Sequence, residues 1–214
     1  MASLFQTLLI IHIICGTTGL LLGSYILFAK KGDTLHKKTG IVFFYAMVIN
    51  ALVSLVLANI HPNVFLFIVG IFSLYMLFTG KRYLQKKSIA DVQRSDRRIL
   101  GLMLLFGIGF IGLGIFYIVK GSNFGFVPIV FGFISLLFVR QDYKNFKGLS
   151  TVKNFWLITH LQRMIGAYIA AVTAFLVVNN TLLPSIFAWL LPTAVLTPLI
   201  IRWSRKYGKQ TIIS

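Results

Sequence analysis

The sequence predicts an all-α, polytopic membrane protein of seven transmembrane helices in one bundle, residues 1–214 forming a single domain. Two observations predict it. The first is composition: 57% of the 214 residues are hydrophobic, only 12% are charged, and the mean hydropathy is +0.87. The second is arrangement, because the charges come in short clusters separated by long uncharged runs. About 20 apolar residues cross a bilayer, so this length allows roughly seven or eight crossings with short connections and no extramembrane domain. A water-soluble enzyme is excluded, since 21 basic and four acidic side chains gathered into a few stretches cannot cover a soluble surface.

Residues 1–29 carry no charge and run too long for a signal peptide, so they read as a retained first span, about residues 4–29, ending at Lys30-Lys31. The uncharged stretch 39–80 holds two crossings, 39–60 and 63–80, divided by the turn signal His61-Pro62-Asn63. Spans 99–119 and 123–139 flank Lys120-Gly121-Ser122, which leaves room only for an antiparallel connection, and the chain is expected to emerge at Arg140. Ser150-Thr151 is the expected cap of span 151–178, and Asn179-Asn180-Thr181 turns the chain into span 183–203. The C-terminal Ile212-Ile213-Ser214 matches no prenylation signal.

The net charge of +17 is topological and argues against nucleic acid as a partner. Apart from Lys120 and Arg163, every lysine and arginine falls in the first, third and fifth connections or the tail. The positive-inside rule then predicts an outer N-terminus and a cytoplasmic C-terminus in a bacterial inner membrane, with the bilayer and its anionic headgroups as partners. Trp156, Trp189 and Trp203 fit interfacial anchoring. Residues 81–98 read as an ordinary cytoplasmic loop attracted to acidic lipid.

Cys15 stands alone in an apolar run, which removes disulfide and thiolate-metal frameworks. Gly107-Ile108-Gly109-Phe110-Ile111-Gly112 has the glycine spacing of a dinucleotide fingerprint but lies inside an apolar helix, with no strand before it. Those glycines, with Gly101 and Gly114, and Gly19 and Gly23 in the first span, are expected to let neighbouring helices approach closely.

Four acids, Asp33, Asp91, Asp96 and Asp142, are the only carboxylate side chains, and all are expected outside the spans. A relay or di-metal site built on buried carboxylates is therefore not expected. The intramembrane polar set comprises His12, Asn50, Thr159, His160, Gln162, Arg163 and Thr173, with Gly166, Ala167, Ala170, Ala171 and Ala174 continuing a small-residue stripe. Arg163 lies too deep to snorkel, so it needs backbone carbonyls, a water-filled cavity, an inward-folding Asp142 or Asp33, or a bound anion. Two histidines, His12 and His61, are placed toward the outer side and two, His36 and His160, toward the inner. Membrane b-type cytochromes hold haem between imidazoles near each surface, which makes these four candidate haem or metal ligands, with haem b the candidate cofactor. All-protein zinc is disfavoured by their spread.

His12-xxx-Gly16, followed by His36-Lys37-Lys38-Thr39-Gly40, resembles the HxxxG and H[RK]xxG signature of a bacterial multi-pass membrane protein family of unknown function, over roughly residues 1–80. The resemblance implies that His12 and His36 matter and implies no activity. Some of that family carry a further histidine after the third span. Here Gln93-Arg94-Ser95-Asp96-Arg97-Arg98 has none, which leaves His160 as the substitute.

Three functions stay open. A redox protein exchanging electrons with quinone would use His160, His36, His12 and His61 as ligands. A transporter or binder of a small anionic or lipidic ligand would use Arg163, Gln162 and Asn50. A membrane scaffold or assembly factor would need none of them.

Overall fold

A computed structural model describes residues 2–86, 88–152, 154–182 and 185–208. Among them are seven α-helices: α1 (Ala2–Phe28), α2 (Thr34–Ile60), α3 (Val64–Tyr83), α4 (Arg94–Val119), α5 (Phe126–Phe146), α6 (Phe155–Asn179) and α7 (Ser185–Gly208). All seven are long and apolar enough to cross a membrane, which agrees with the expected number of spans. Short 3-10 turns, Ile89–Asp91 and Asn123–Gly125, precede α4 and α5.

The helices run past the expected span ends, because a charge marks where the hydrocarbon stops and a helix stops only where its backbone is capped. Asp33 accepts from the backbone N–H of His36 at 2.7 Å, so α2 begins at Thr34 and His36 lies in its first turn. Asp96 accepts from the N–H of Gln93 at 2.8 Å, which starts α4 five residues before the expected Ile99. The helix does not end at Arg140. Instead α5 continues to Phe146, and only Gly148, at φ 71°, turns it away, with the N–H of Leu149 closing on the carbonyl of Lys144 at 2.9 Å.

Ser150-Thr151 does not cap α6. The carbonyl of Asn154 accepts the first bonds of that helix, from Leu157 and Ile158, while the Asn154 amide donates to the carbonyl of Tyr207 at 3.1 Å. Lys87, Lys153 and the C-terminal 209–214, including Ile212-Ile213-Ser214, lie outside the described residues.

The chain divides into two compact units, residues 1–77 with 164–199 and residues 78–163 with 200–214. In the first unit, α1 packs through Gly19 against the Met47 sulfur and through Gly23 against Tyr168 and Phe43. Gly70 faces Ser54 and Leu55, and Gly166 faces the Met76 sulfur. Phe43, Met47 and Ala51 of α2, Ile68, Phe72 and Met76 of α3, and Ala167 and Ala170 of α6 are buried. By contrast α1 exposes Ile10, Ile13, Ile14, Leu21 and Phe28, as suits a lipid-facing helix.

In the second unit α4 and α5 form a tight antiparallel pair. A Cβ on Gly132 would lie 2.7 Å from the Gly107 carbonyl, and one on Gly114 would lie 2.6 Å from that of Gly125. Close packing thus falls to Gly107 and Gly114, two turns apart. Gly101, Gly109 and Gly112 meet nothing within 4 Å, so the expected role for them is not borne out.

Candidate functional site

The second unit contains a buried polar network on three helices. Asp142 is inside α5 and fully buried, which overturns the expectation that no carboxylate is buried. Its Oδ1 accepts from Arg163 Nη2 of α6 at 2.9 Å and from the Tyr83 hydroxyl of α3 at 2.9 Å. The Asn145 amide donates to the Tyr83 oxygen at 3.1 Å and to the Thr159 hydroxyl at 3.3 Å. Arg163 also donates to the Phe138 carbonyl at 3.2 Å and to Gln141 Oε1 at 3.4 Å, and its guanidinium lies 3.8 Å from the centre of the Phe138 ring. Gln141 in turn donates to Gln162 Oε1 at 2.9 Å.

Of the four sources weighed for an Arg163 partner, the structure supplies two, a carbonyl and Asp142. The network lies toward the cation-rich helix ends: Tyr83 is the last residue of α3, and Arg163 is about 12 Å along α6 at 1.5 Å per residue.

Asp142 and Asn145 were legible as a pattern. Ser135, Val139, Asp142 and Asn145 recur at spacings of four and three, and all are buried on one side of α5. Reading Arg140 as the span end cut that stripe in two. Thr79, Tyr83 and Lys86 repeat the same spacing at the end of α3 and are likewise buried.

Close by, the expected solvated loop after α3 contains a second buried acid. Asp96, 5% exposed, accepts from Arg82 Nε at 2.5 Å and pairs with Lys86 Nζ at 2.9 Å, while Arg82 reaches Gln93 Oε1 at 2.9 Å and Ser95 Oγ at 2.7 Å. Burial pushes the Lys86 ammonium below its ordinary value, and the hydrogen bond to Asp96 opposes that shift. This clamp ties the end of α3 to the start of α4.

Among the described residues no group of three or more His, Cys, Asp or Glu side chains is placed to hold a metal. His12 Nδ1 lies 3.3 Å from the Asn50 carbonyl, and His160 Nδ1 lies 2.8 Å from that of Gly80. A carbonyl only accepts, so in each neutral ring Nδ1 carries the proton and Nε2 the lone pair. His61 packs edge-on against Phe5 with ring centroids 4.3 Å apart, and His36 is half-buried in the first turn of α2. The Asn50 side chain rests against Gly16, bringing one glycine of the HxxxG motif to the residue that binds His12.

No family model, curated protein or solved structure matches the chain. The geometry of its own residues therefore carries the functional reading.

Proposed function

We propose that this chain is a bacterial inner-membrane transporter or binder of a small anion, with Arg163 as the anion-binding group and Asp142 as its built-in competitor. The observation that carries the reading is the complete burial of both members of the pair among apolar helices. Desolvating two such charges costs more than a well-packed apolar pair would, and intramembrane ionisable groups ordinarily mark ligand or ion pathways. An anion entering the site would take the guanidinium from Asp142. Gln141 and Gln162, already bonded to one another beside it, would supply neutral donors.

Purified protein in detergent is expected to melt at a higher temperature with millimolar small carboxylates or phosphate than with chloride at equal ionic strength. Arg163→Gln is expected to abolish that shift. Equal melting in all anions would count against the reading.

The cation distribution supports an outer N-terminus and a cytoplasmic C-terminus. A C-terminal reporter is expected to be active only when assayed from the cytoplasmic side, and a periplasmic signal would contradict that orientation.

One observation favours a second reading, a membrane haem or metal protein with His160, His36, His12 and His61 as candidate ligands. His12 Nδ1 is anchored on the Asn50 carbonyl and His160 Nδ1 on the Gly80 carbonyl, the kind of backbone anchor by which metal-bound imidazoles are oriented. On this reading, protein from haem-replete cells shows a Soret band that His160→Ala removes. A colourless, iron-free preparation would exclude it.

A further inference from the structure

Within the first unit, a cavity of about 290 Å³ opens between α1, α6 and α7. Its walls include Leu27 and Phe28 of α1, Val172 and Leu176 of α6, and Leu191 and Val195 of α7. Phe28 and Val195 are 89% and 58% exposed, so the cavity is a groove open to the surrounding medium and not a sealed void.

Its two polar residues ask nothing of an occupant. The hydroxyls of Ser24 and Tyr168 lie 2.6 Å apart, and Ser24 also donates to the Leu20 carbonyl at 2.9 Å. A groove whose hydroxyls are already matched offers a polar ligand no binding group, whereas hydrocarbon fills it without loss. Pro192, inside α7, also lines the groove and has no backbone N–H to offer a polar occupant.

Charge singles out which hydrocarbon. Phe28, at the groove wall, is followed within ten residues by Lys30, Lys31, Lys37 and Lys38, against the single acid Asp33. Lys31 is engaged with the Ile26 and Leu27 carbonyls at the end of α1, and Asp33 with the N–H of His36. Lys30, Lys37 and Lys38 remain exposed in the same unit. An uncharged lipid would gain from the groove alone, while an anionic one gains from both groove and lysines.

We infer that this groove holds one acyl chain of an anionic phospholipid, whose headgroup is met by Lys30, Lys37 and Lys38. The inference is independent of the anion reading for Arg163, which concerns the other unit.

The test is native mass spectrometry of the full chain released from mild detergent after incubation with phosphatidylglycerol or phosphatidylcholine of identical chains, with melting temperature measured on the same samples. One retained phosphatidylglycerol per chain and a higher melting temperature are expected, with phosphatidylcholine retained at least fivefold less. Val172→Trp, which fills the groove, is expected to lose the retained lipid and to melt like lipid-free wild type. Val195→Phe, at an exposed position on the opposite wall, gives the same loss where the tryptophan variant fails to fold. Lys30→Gln, Lys37→Gln and Lys38→Gln together are expected to bring phosphatidylglycerol down to the phosphatidylcholine level. Equal retention of both lipids, retention undiminished in both groove variants, or a lipid-free dimer that the groove variants disrupt would each overturn the inference, the last by making a second copy the occupant.

Discussion

Replacing Asp142 with leucine is expected to destabilise the protein by about 3–5 kcal/mol, the largest effect of any single exchange at the polar network. The carboxylate accepts from both Arg163 and Tyr83, and neither it nor the guanidinium has exposed surface. Removing it leaves a buried cation with only the Phe138 carbonyl, the Gln141 amide oxygen and the Phe138 ring among the partners described above. Arg163→Met alone should cost a similar amount, by stranding the carboxylate. Together the two exchanges should restore most of the loss, because an apolar pair of similar volume needs no compensation. The measurement is thermal unfolding in detergent across the four-member cycle. A double variant no more stable than either single one would show that the pair is not the energetic unit.

The second large effect is steric. Gly132→Val is expected to cost about 2–3 kcal/mol and to part α4 from α5, because its Cβ would lie 2.7 Å from the Gly107 carbonyl, and a backbone atom cannot swing aside as a side chain can. Gly109→Ala and Gly112→Ala serve as internal controls. Both positions face open space, so alanine there should be neutral or stabilising by about 0.5–1 kcal/mol through its lower helical entropy cost. Disulfide cross-linking between introduced cysteines on α4 and α5, combined with melting, separates these outcomes. Equal effects at Gly132 and Gly109 would deny the close backbone approach.

Hydropathy and the clustering of charge made the seven helices readable from sequence, as they did the turns at His61-Pro62-Asn63 and Lys120-Gly121-Ser122, where Gly121 takes φ 79°. Arg163 was recognisable as an intramembrane cation in need of a partner. Its partner was not, because Asp142 stands between Arg140 and Lys144, and a local charge cluster reads as a loop. The 3.6-residue period carries through such a cluster wherever the helix is capped later, here by Gly148. The clamp of Arg82 and Lys86 on Asp96 was hidden for the same reason, since cations that tie two helices together look in sequence like cations facing water. The histidines illustrate a different gap. The partners of His12 and His160, the carbonyls of Asn50 and Gly80, are backbone groups with no signature in sequence.

The anion reading makes Asp142 a competitor for the guanidinium, and anion affinity compared between wild type and Asp142→Asn tests that directly. Asparagine keeps the shape and can still accept from Tyr83, but it no longer neutralises Arg163. Titration calorimetry with the carboxylate or phosphate that most stabilises the wild type is predicted to show affinity at least about tenfold higher in Asp142→Asn, a gain of about 1.4 kcal/mol, and none in Arg163→Gln. Affinity unchanged or lower in Asp142→Asn, or no anion bound by either protein, would contradict the account and leave the pair as a structural tie between α5 and α6.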